Sequence, residues 1–507
     1  MGVMNTVMSK IKTAIVNWLN FEPAPEMTIT IMEPFSYEGN VMKNRIWYRG
    51  ESSELSQFYK QMRGYGPDDV NSARFWAAVP SRGLDIRKIH SGLPGICVDK
   101  MADIVTSDME EISFDEGAPQ TASDRWEAIA EENDFSTLIH DAIKETDIAG
   151  DGAFKISFDP DISPLPIIEY YSGERVDYTR KRGRVMEVLF YTNVPIGTGN
   201  RTFKLQETYG KGYITYQLYD DNGNQVDPAQ YPETAKLLPV KWDGDFMMAV
   251  PMMFSKSSKF EGRGKSLFDD KCDMYDAFDE DISQWTDAVR NARVMTYIPE
   301  DLIPVDPKTG EKLPPNPFDN RFIAVGNTAV ENSVNKIQRD QAQINSTEFQ
   351  QKYTVDLDLC LQGVLSPATL GIDLAKKDNA DAQREKEKVT LYSRGERIDV
   401  LQKVVPKLVD IVLKSQDVYG NAAPQDYPCS AGWGEYAAPS FDSVVATVGQ
   451  ARTAGVMSIE QSVEELYGDI MSDKDKAAEV ARIKNEQGIV PAQEPSVGDE
   501  LNTDGGA

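Results

Sequence analysis

The chain has 507 residues, enough for roughly three or four domain-sized units, and is 40% hydrophobic and 9% aromatic, so it can bury real cores and is not a disordered chain. Its formal net charge is −28, from 81 acids against 53 bases. That argues against tight nucleic-acid binding by phosphate neutralisation, which needs a basic surface, but does not exclude a protein that lets nucleic acid slide past.

Met4, Met8, Ile11, Ile15 and Leu19 recur at helical spacing with Lys10 and Lys12 between them. This predicts an amphipathic helix docked on the protein body, not a signal peptide. No apolar run approaches the roughly 20 residues needed to span a bilayer, so no membrane association is expected. Leu55, Phe58, Tyr59 and Met62 predict a helix closed by Gly64. Pro94 suits the first turn of a helix over Pro94–Thr106. Two more helices are expected over Ser123–Glu132 and Ser136–Ala149, the second closed by Gly150.

From there to Met253 the period changes to two. Strands are predicted near Phe154–Phe158, Ile167–Tyr171, Val185–Thr192, Phe203–Tyr209 and Tyr213–Tyr219. Asp221-Asn222-Gly223-Asn224 reads as a hairpin turn with positive φ at both centres. Arg180, Lys181, Arg182 and Arg184 cluster in another hairpin turn, read as a solvated loop before a nucleic-acid contact. The block Asp151–Met253 is thus an antiparallel element of an α+β fold.

Ser266 caps a predicted helix over Ser266–Arg293, with Asp269 at the third position. Phe268, Cys272, Tyr275, Phe278, Ile282, Trp285, Val289 and Ala292 repeat at steps of four and three. That is the seam of a helix packed lengthwise on another, roughly 40 Å long. Acids from Asp269 to Asp287 crowd the other faces and are expected to form a solvated or tunnel-facing charged face. A Pro-, Gly- and Asn-rich stretch, Val294–Ile344, follows with a strand-like Arg321–Val325. Asn345 with Glu348 forms a capping box for a second helix, striped by Phe349, Tyr353, Leu357, Leu361 and Leu365 and stopped by Ser366-Pro367. A loop, Ser366–Asp378, ends in Lys376 and Lys377. Asn379 caps a long helix from Ala380, which Pro406 should end or kink. Short helices follow the turn-rich Tyr419–Pro439. One is opened by a Ser458–Gln461 capping box, and another spans Asp473–Gln487. Gln493–Ala507 lacks large apolar residues and is expected to be disordered.

Signals for catalysis are poor. Gly264-Lys265-Ser266 precedes a helix, but the glycine that a phosphate loop needs five residues earlier is Lys259. The aspartates of Asp269–Asp281 lack calcium-loop spacing, so no metal is expected. The four cysteines, Cys97, Cys272, Cys360 and Cys429, show no metal spacing and fit a reduced environment. His90 and His140 are the only histidines, and His90 has no partner at a recognisable spacing. No cofactor and no enzyme activity are expected.

Three segments carry a resemblance: Arg87–Val105 (RKIHSGLPGICVDKMADIV), Gly363–Lys388 (GVLSPATLGIDLAKKDNADAQREKEK) and Ser440–Gly468 (SFDSVVATVGQARTAGVMSIEQSVEELYG). With the order of elements, they resemble the portal proteins of long-tailed bacteriophages, over about Pro80 to Gly488. The resemblance implies a multi-domain α+β subunit of a homo-oligomeric ring, twelve-fold, at one capsid vertex of the virion. Double-stranded DNA would pass through it without sequence specificity during packaging and ejection. Implied partners are the packaging terminase, head–tail connector proteins, and the major capsid and scaffolding proteins. Mapped onto this chain, residues 1–263 would form the wing, 264–293 and 345–365 the stem, and 294–344 the clip. Residues 366–378 would be the tunnel loop, 379–415 a long kinked helix, 416–488 the crown and 489–507 a disordered tail. Lys376, Lys377 and Asn379 would lie at the DNA tunnel. Phe268, Tyr275, Phe278, Ile282, Trp285 and Val289 would form the ring-assembly seam. Two other readings stay open: a different virion structural protein, such as a connector or minor capsid protein, or a nucleotide-driven packaging or nucleic-acid-processing enzyme.

Overall fold

The computed structural model describes residues 35–62, 76–77, 86–197, 201–292, 295–299, 302–303, 305–311, 322–325, 338–341, 343–372, 380–434, 441–467, 471 and 473–486. The expected helix Met4–Leu19, the loop residues Lys376, Lys377 and Asn379, and the tail Gln493–Ala507 lie outside them.

Helices α1 (Tyr37–Arg49), α2 (Ser52–Met62) and α3 (Leu93–Thr106) lead into a short strand, β1 (Ser113–Phe114), then α4 (Ala122–Glu132) and α5 (Phe135–Ala149). Ser36 accepts a hydrogen bond from the Gly39 amide and so caps α1. α3 turns Cys97, Val98, Met101 and Val105 inward, and α5 answers with Ile139, Ala142 and Ile143, all within one core. Gly150 closes α5 with φ 100°, and a Cβ there would lie 2.4 Å from the Gly264 carbonyl oxygen. Only glycine allows both the turn and this close approach of the returning chain.

The strands are β2 (Asp151–Ser157), β3 (Ile167–Ser172), β4 (Val176–Lys181), β5 (Arg184–Ile196), β6 (Arg201–Gly210), β7 (Tyr213–Tyr219), β8 (Gln225–Val226), β9 (Val240–Lys241) and β10 (Ala249–Met253). The expected single block divides into two antiparallel sheets. One has the order β10-β2-β3; the other is the meander β4-β5-β6-β7-β8, with β9 also on β7. β2 is buried from Asp151 to Ile156 without alternation, as suits a strand between other elements. β4 was not anticipated: Arg180 and Lys181 lie in it, and the turn itself is Arg182-Gly183, with φ 51° and 77°. The Asn222-Gly223 turn needs positive φ only at Gly223, 81°. The Asp220 carboxylate holds that turn by accepting from the amides of Asn222 at 2.9 Å and Asn224 at 2.8 Å.

A second set of elements follows. Helix α6 (Cys272–Asn291) leads to β11 (Met295–Pro299), β12 (Phe322–Val325) and β13 (Gln338–Asp340). β11 is central, parallel to β12 and antiparallel to β13. Then come α7 (Ser346–Leu361), a 3-10 turn Pro367–Leu370, and α8 (Ala380–Tyr419). The chain continues through β14 (Cys429–Ser430), α9 (Phe441–Thr453), α10 (Ile459–Tyr467) and α11 (Asp473–Glu486). β14 pairs antiparallel with β1. α8 packs on β10 and β2.

Several helix ends differ from expectation. Ser266 does not start α6. Its Oγ accepts from the Phe268 amide at 3.1 Å, and the Asp269 carboxylate accepts from the Ser266 amide at 3.0 Å. That reciprocal cap closes a turn, and the helix begins at Cys272 with a length of roughly 30 Å. Asn345 precedes α7 but makes no side-chain capping bond. α7 stops at Leu361, before Gly363 with φ 75°. Ser366 caps the 3-10 turn instead, accepting from Ala368. Ser458 caps α10 as expected, accepting from the Gln461 amide at 3.1 Å. Pro406 does not end α8, which runs on to Tyr419. A proline inside a helix costs about 3 kcal/mol or more. Here Val405, Leu408, Val409 and Val412 are buried on either side of it, and that packing offsets the cost.

Candidate functional site: the helical hairpin and the strap across it

α6 and α7 pack along each other. The apolar repeat of α6 finds partners within the chain. Phe268 and Tyr275 are fully buried, and Tyr275 lies 6.5 Å from Trp47 of α1 between ring centroids. Phe278 meets Tyr353 at 5.1 Å. Half-buried Trp285 stacks on Phe349, with centroids 6.1 Å apart and planes 4° from parallel. Ile282 is half-buried, and Val289, 51% exposed, has left the core. The seam therefore runs from the core out along the hairpin.

The acidic residues of α6 depart from expectation. Asp276, Asp279 and Asp281 are buried, not solvated. Trp76–Ala77 and Ile89–Ser91 lie against the helix as a strap. Asp276 accepts from the Ala77 amide. Asp279 accepts from the Ser91 amide at 2.8 Å and contacts Nδ1 of His90. Ser283 Oγ accepts from the Ile89 amide at 2.9 Å and donates to the Asp279 carbonyl at 2.7 Å. Irregular backbone cannot satisfy its own amides, and the helix supplies the acceptors. Burial pushes the Asp276 carboxyl up to about 7, with Asp279 and Glu280 adding to the shift and the Ala77 amide opposing it.

His90 thus has a carboxylate partner, which no motif spacing could reveal. Its ring sits 5.4 Å from Trp47 and 6.0 Å from Trp76, both edge-on. Its Nε2 is buried and makes no hydrogen bond. A histidine acting as a general base must reach a substrate proton; this one is sealed and works as a clamp. The Gly264-Lys265-Ser266 segment offers no phosphate cradle. The Gly264 amide donates to the Asp151 carboxylate at 2.6 Å, Lys265 pairs with Asp270, and Ser266 Oγ donates to the carbonyls of Asp147 and Ile148. A carboxylate at the amide where an anion would bind repels it.

Between the hairpin helices, Lys352 of α7 pairs with Asp281 of α6 and, at 2.9 Å, with Asp356. Burial raises the Asp281 carboxyl to about 6, Asp356 adds to the rise, and Lys352 opposes it. Sequence reasoning missed this latch, since its three members are spread over two helices.

The turn after α7 is anchored to α8. Thr390 Oγ1 accepts from the Ser366 amide at 2.9 Å and meets the Thr369 hydroxyl at 2.8 Å. Ser393 Oγ donates to the Gly363 carbonyl at 3.1 Å. Next, Arg394 binds the Asp108 carboxylate at 3.0 Å and the Gly434 carbonyl at 2.8 Å. Arg397 makes a two-pronged pair with Asp147, at 2.7 and 3.1 Å, both side chains buried. Burial holds the Asp147 carboxyl above its ordinary range, with Arg397 opposing. Two arginines three apart beside Ile398 and Leu401, in a helix rich in buried apolar residues, were the available signal for these pairs.

No family model matches the chain, and no curated protein matches it. Among solved structures the chain is similar to "Neck of empty GTA particle computed with C6 symmetry", at 11% identity and TM-score 0.38, over 77% of this chain and 90% of that chain. It is also similar to "Neck of native GTA particle computed with C12 symmetry", at 11% identity and TM-score 0.35, over 76% of this chain and 89% of that one.

Proposed function

We propose that the chain is the subunit of a phage-type portal: a homo-oligomeric ring, twelve-fold, at one capsid vertex of a virion. DNA would enter through it during packaging and leave through it at infection. One observation carries the reading: the order of elements. A helix, a small three-stranded sheet and a second helix packed on the first are followed by an anchored turn and, from Ala380, a helix of 40 residues. That order supports reading these elements as the stem, clip, stem, tunnel loop and long helix that the sequence resemblance implies. The terminase would meet the small sheet during packaging and the head–tail connector would meet it later, with scaffolding and major capsid proteins around the ring. Neither a cofactor nor a metal has a role in this reading.

The hairpin also leaves apolar side chains for a neighbour to cover. Val289 is 51%, Val355 56% and Leu359 40% exposed. The test is negative-stain electron microscopy of the purified protein. End-on rings with a central hole and about twelve subunits are expected; monomers across salt and protein concentration would sink the reading. Trp285→Ala should reduce the ring population, because it removes the stack on Phe349 that sets the hairpin's outer half. Rings as abundant as wild type would take the seam out of assembly.

Lys376 and Lys377, beside Asn379, are proposed to touch passing DNA weakly and without sequence preference. An acidic ring repels the duplex, and two lysines per subunit offset that locally. Lys376→Ala with Lys377→Ala should lower DNA packaging or retention in assembled particles. Unchanged packaging and retention would remove that role.

A further inference from the structure

The hairpin of β4 and β5 is out of keeping with an acidic chain. Lys181, Arg182 and Arg184 at its tip are exposed, and among the described residues none of the three has a carboxylate partner. Arg180, just behind them, is engaged: it donates to the Gly262 carbonyl at 2.8 Å and lies over the Tyr178 ring. The tip is a defined turn, with Arg182 itself at φ 51°. A residue other than glycine pays about 1 kcal/mol there. Three cations held out on such a turn, without a carboxylate partner among the described residues, are available to an anionic surface.

The same chain carries that surface. In α4, Trp126 and Ile129 face the core, while Asp124, Glu127 and Glu131 share the outward side at steps of three and four. Asp115 and Glu116 precede them, also exposed. None of these five carboxylates has a cationic partner among the described residues. Arg125 is the only base between Asp108 and Asp134. It is turned inward to Asp417 at 2.9 Å and the Tyr427 hydroxyl at 2.7 Å.

We propose that the basic hairpin tip of one copy docks on the acidic α4 ledge of a second copy, as a head-to-tail contact between ring neighbours. The inference rests on the ring reading above and deepens it. Two different patches make a contact that is heterologous, and such contacts build rings where the rotation between neighbours closes, not two-fold dimers. A second copy fits better than nucleic acid, because the counter-charge is present on the chain and a net charge of −28 repels a duplex. Exposed pairs of this kind set register and salt sensitivity more than affinity.

The test uses the full chain, with assembly followed by mass photometry and electron microscopy across a salt series. Arg182→Glu with Arg184→Glu should raise the protein concentration needed for rings by about tenfold and flatten the salt dependence. Glu127→Arg with Glu131→Arg should do the same. Combining all four substitutions should restore rings, since each copy then carries both reversed patches. Circular dichroism checks that each variant folds. If the reversals perturb folding, Arg182→Gln with Arg184→Gln gives the same reading without repulsion. Wild-type midpoints in the reversed-tip variant, or no rescue by the fourfold variant, would overturn the inference and leave the ring standing. Normal assembly with lost binding to a labelled DNA duplex would make nucleic acid the occupant and overturn it too. Wild-type protein that never forms rings removes the ring reading and this contact together.

Discussion

Arg397→Leu should cost about 3–5 kcal/mol of folding free energy, the range for stranding one half of a buried ion pair. Arg397 reaches from α8 to Asp147 near the end of α5 with two hydrogen bonds, at 2.7 and 3.1 Å. The same Asp147 also uses its carbonyl to accept from the Ser266 hydroxyl and the Leu267 amide, at the approach to α6. One residue thus joins α5, α8 and the base of the hairpin. Leucine leaves the Asp147 carboxylate buried and alone. Asp147→Leu leaves the guanidinium alone and should cost a similar amount. The double variant should cost clearly less than the sum, because no charge is then stranded.

The pH dependence has a definite sign. Burial already holds the Asp147 carboxyl above its ordinary range, against the pull of Arg397. Without Arg397 it rises further. A carboxyl whose folded-state pKa is raised weakens the fold above that pKa, and the penalty is relieved as pH falls toward the ordinary carboxylate range. The deficit of Arg397→Leu should therefore be largest at neutral and alkaline pH and shrink in acid. Urea unfolding followed by circular dichroism at several pH values measures this. A deficit that is small, or that grows in acid, would show that the pair does not hold the junction.

Asp279→Ala should release the strap and cost about 2–4 kcal/mol, from two buried donors left without an acceptor. The donors are the Ser91 amide and the His90 ring, which is wedged against Trp47 and Trp76. Alanine removes both acceptors at once and leaves a void beside the two tryptophans. Asparagine keeps one acceptor oxygen for Ser91 and should cost less. The local signature is amide hydrogen exchange. Ile89 and Ser91 should exchange much faster in Asp279→Ala, while β5 and β6 stay protected. Unchanged exchange at Ile89 and Ser91 would mean that the strap is held by other contacts.

Much of the fold was legible because its causes are local. β7 runs over Tyr213–Tyr219 as its alternation predicts, and β12 over Phe322–Val325, within one residue of expectation. α3 and α5 follow their apolar spacing and stop at the expected places. The seam of α6 was legible for the same reason, since a repeat of three and four marks a face whatever covers it. What covers it was not: Phe278 and Trp285 meet Tyr353 and Phe349 of α7, and Tyr275 meets Trp47 of α1.

Three features show where local reasoning stops. Pro406 is a helix breaker by its own chemistry, yet α8 continues, because apolar packing around it outweighs a missing amide hydrogen bond. The two sheets looked like one block, because pairing is decided between strands and not within them. The aspartates of α6 looked solvated, because a helical period says which side a residue lies on but not whether another segment crosses that side.

The sequence alone determined where most helices, though not α1, and six of the fourteen described strands (β2, β3, β5, β6, β7 and β12) lie, together with the apolar seam, each from residues a few positions apart, and it determined the strong acidity by composition. Only the tertiary structure decided that Asp279 answers His90 and that Arg397 answers Asp147. Only the tertiary structure, too, leaves the basic tip and the acidic ledge without partners among the described residues of one copy. Those outcomes depend on contacts between residues hundreds of positions apart, where burial turns a surface charge into an obligate partner and the chain's path decides which partner it finds.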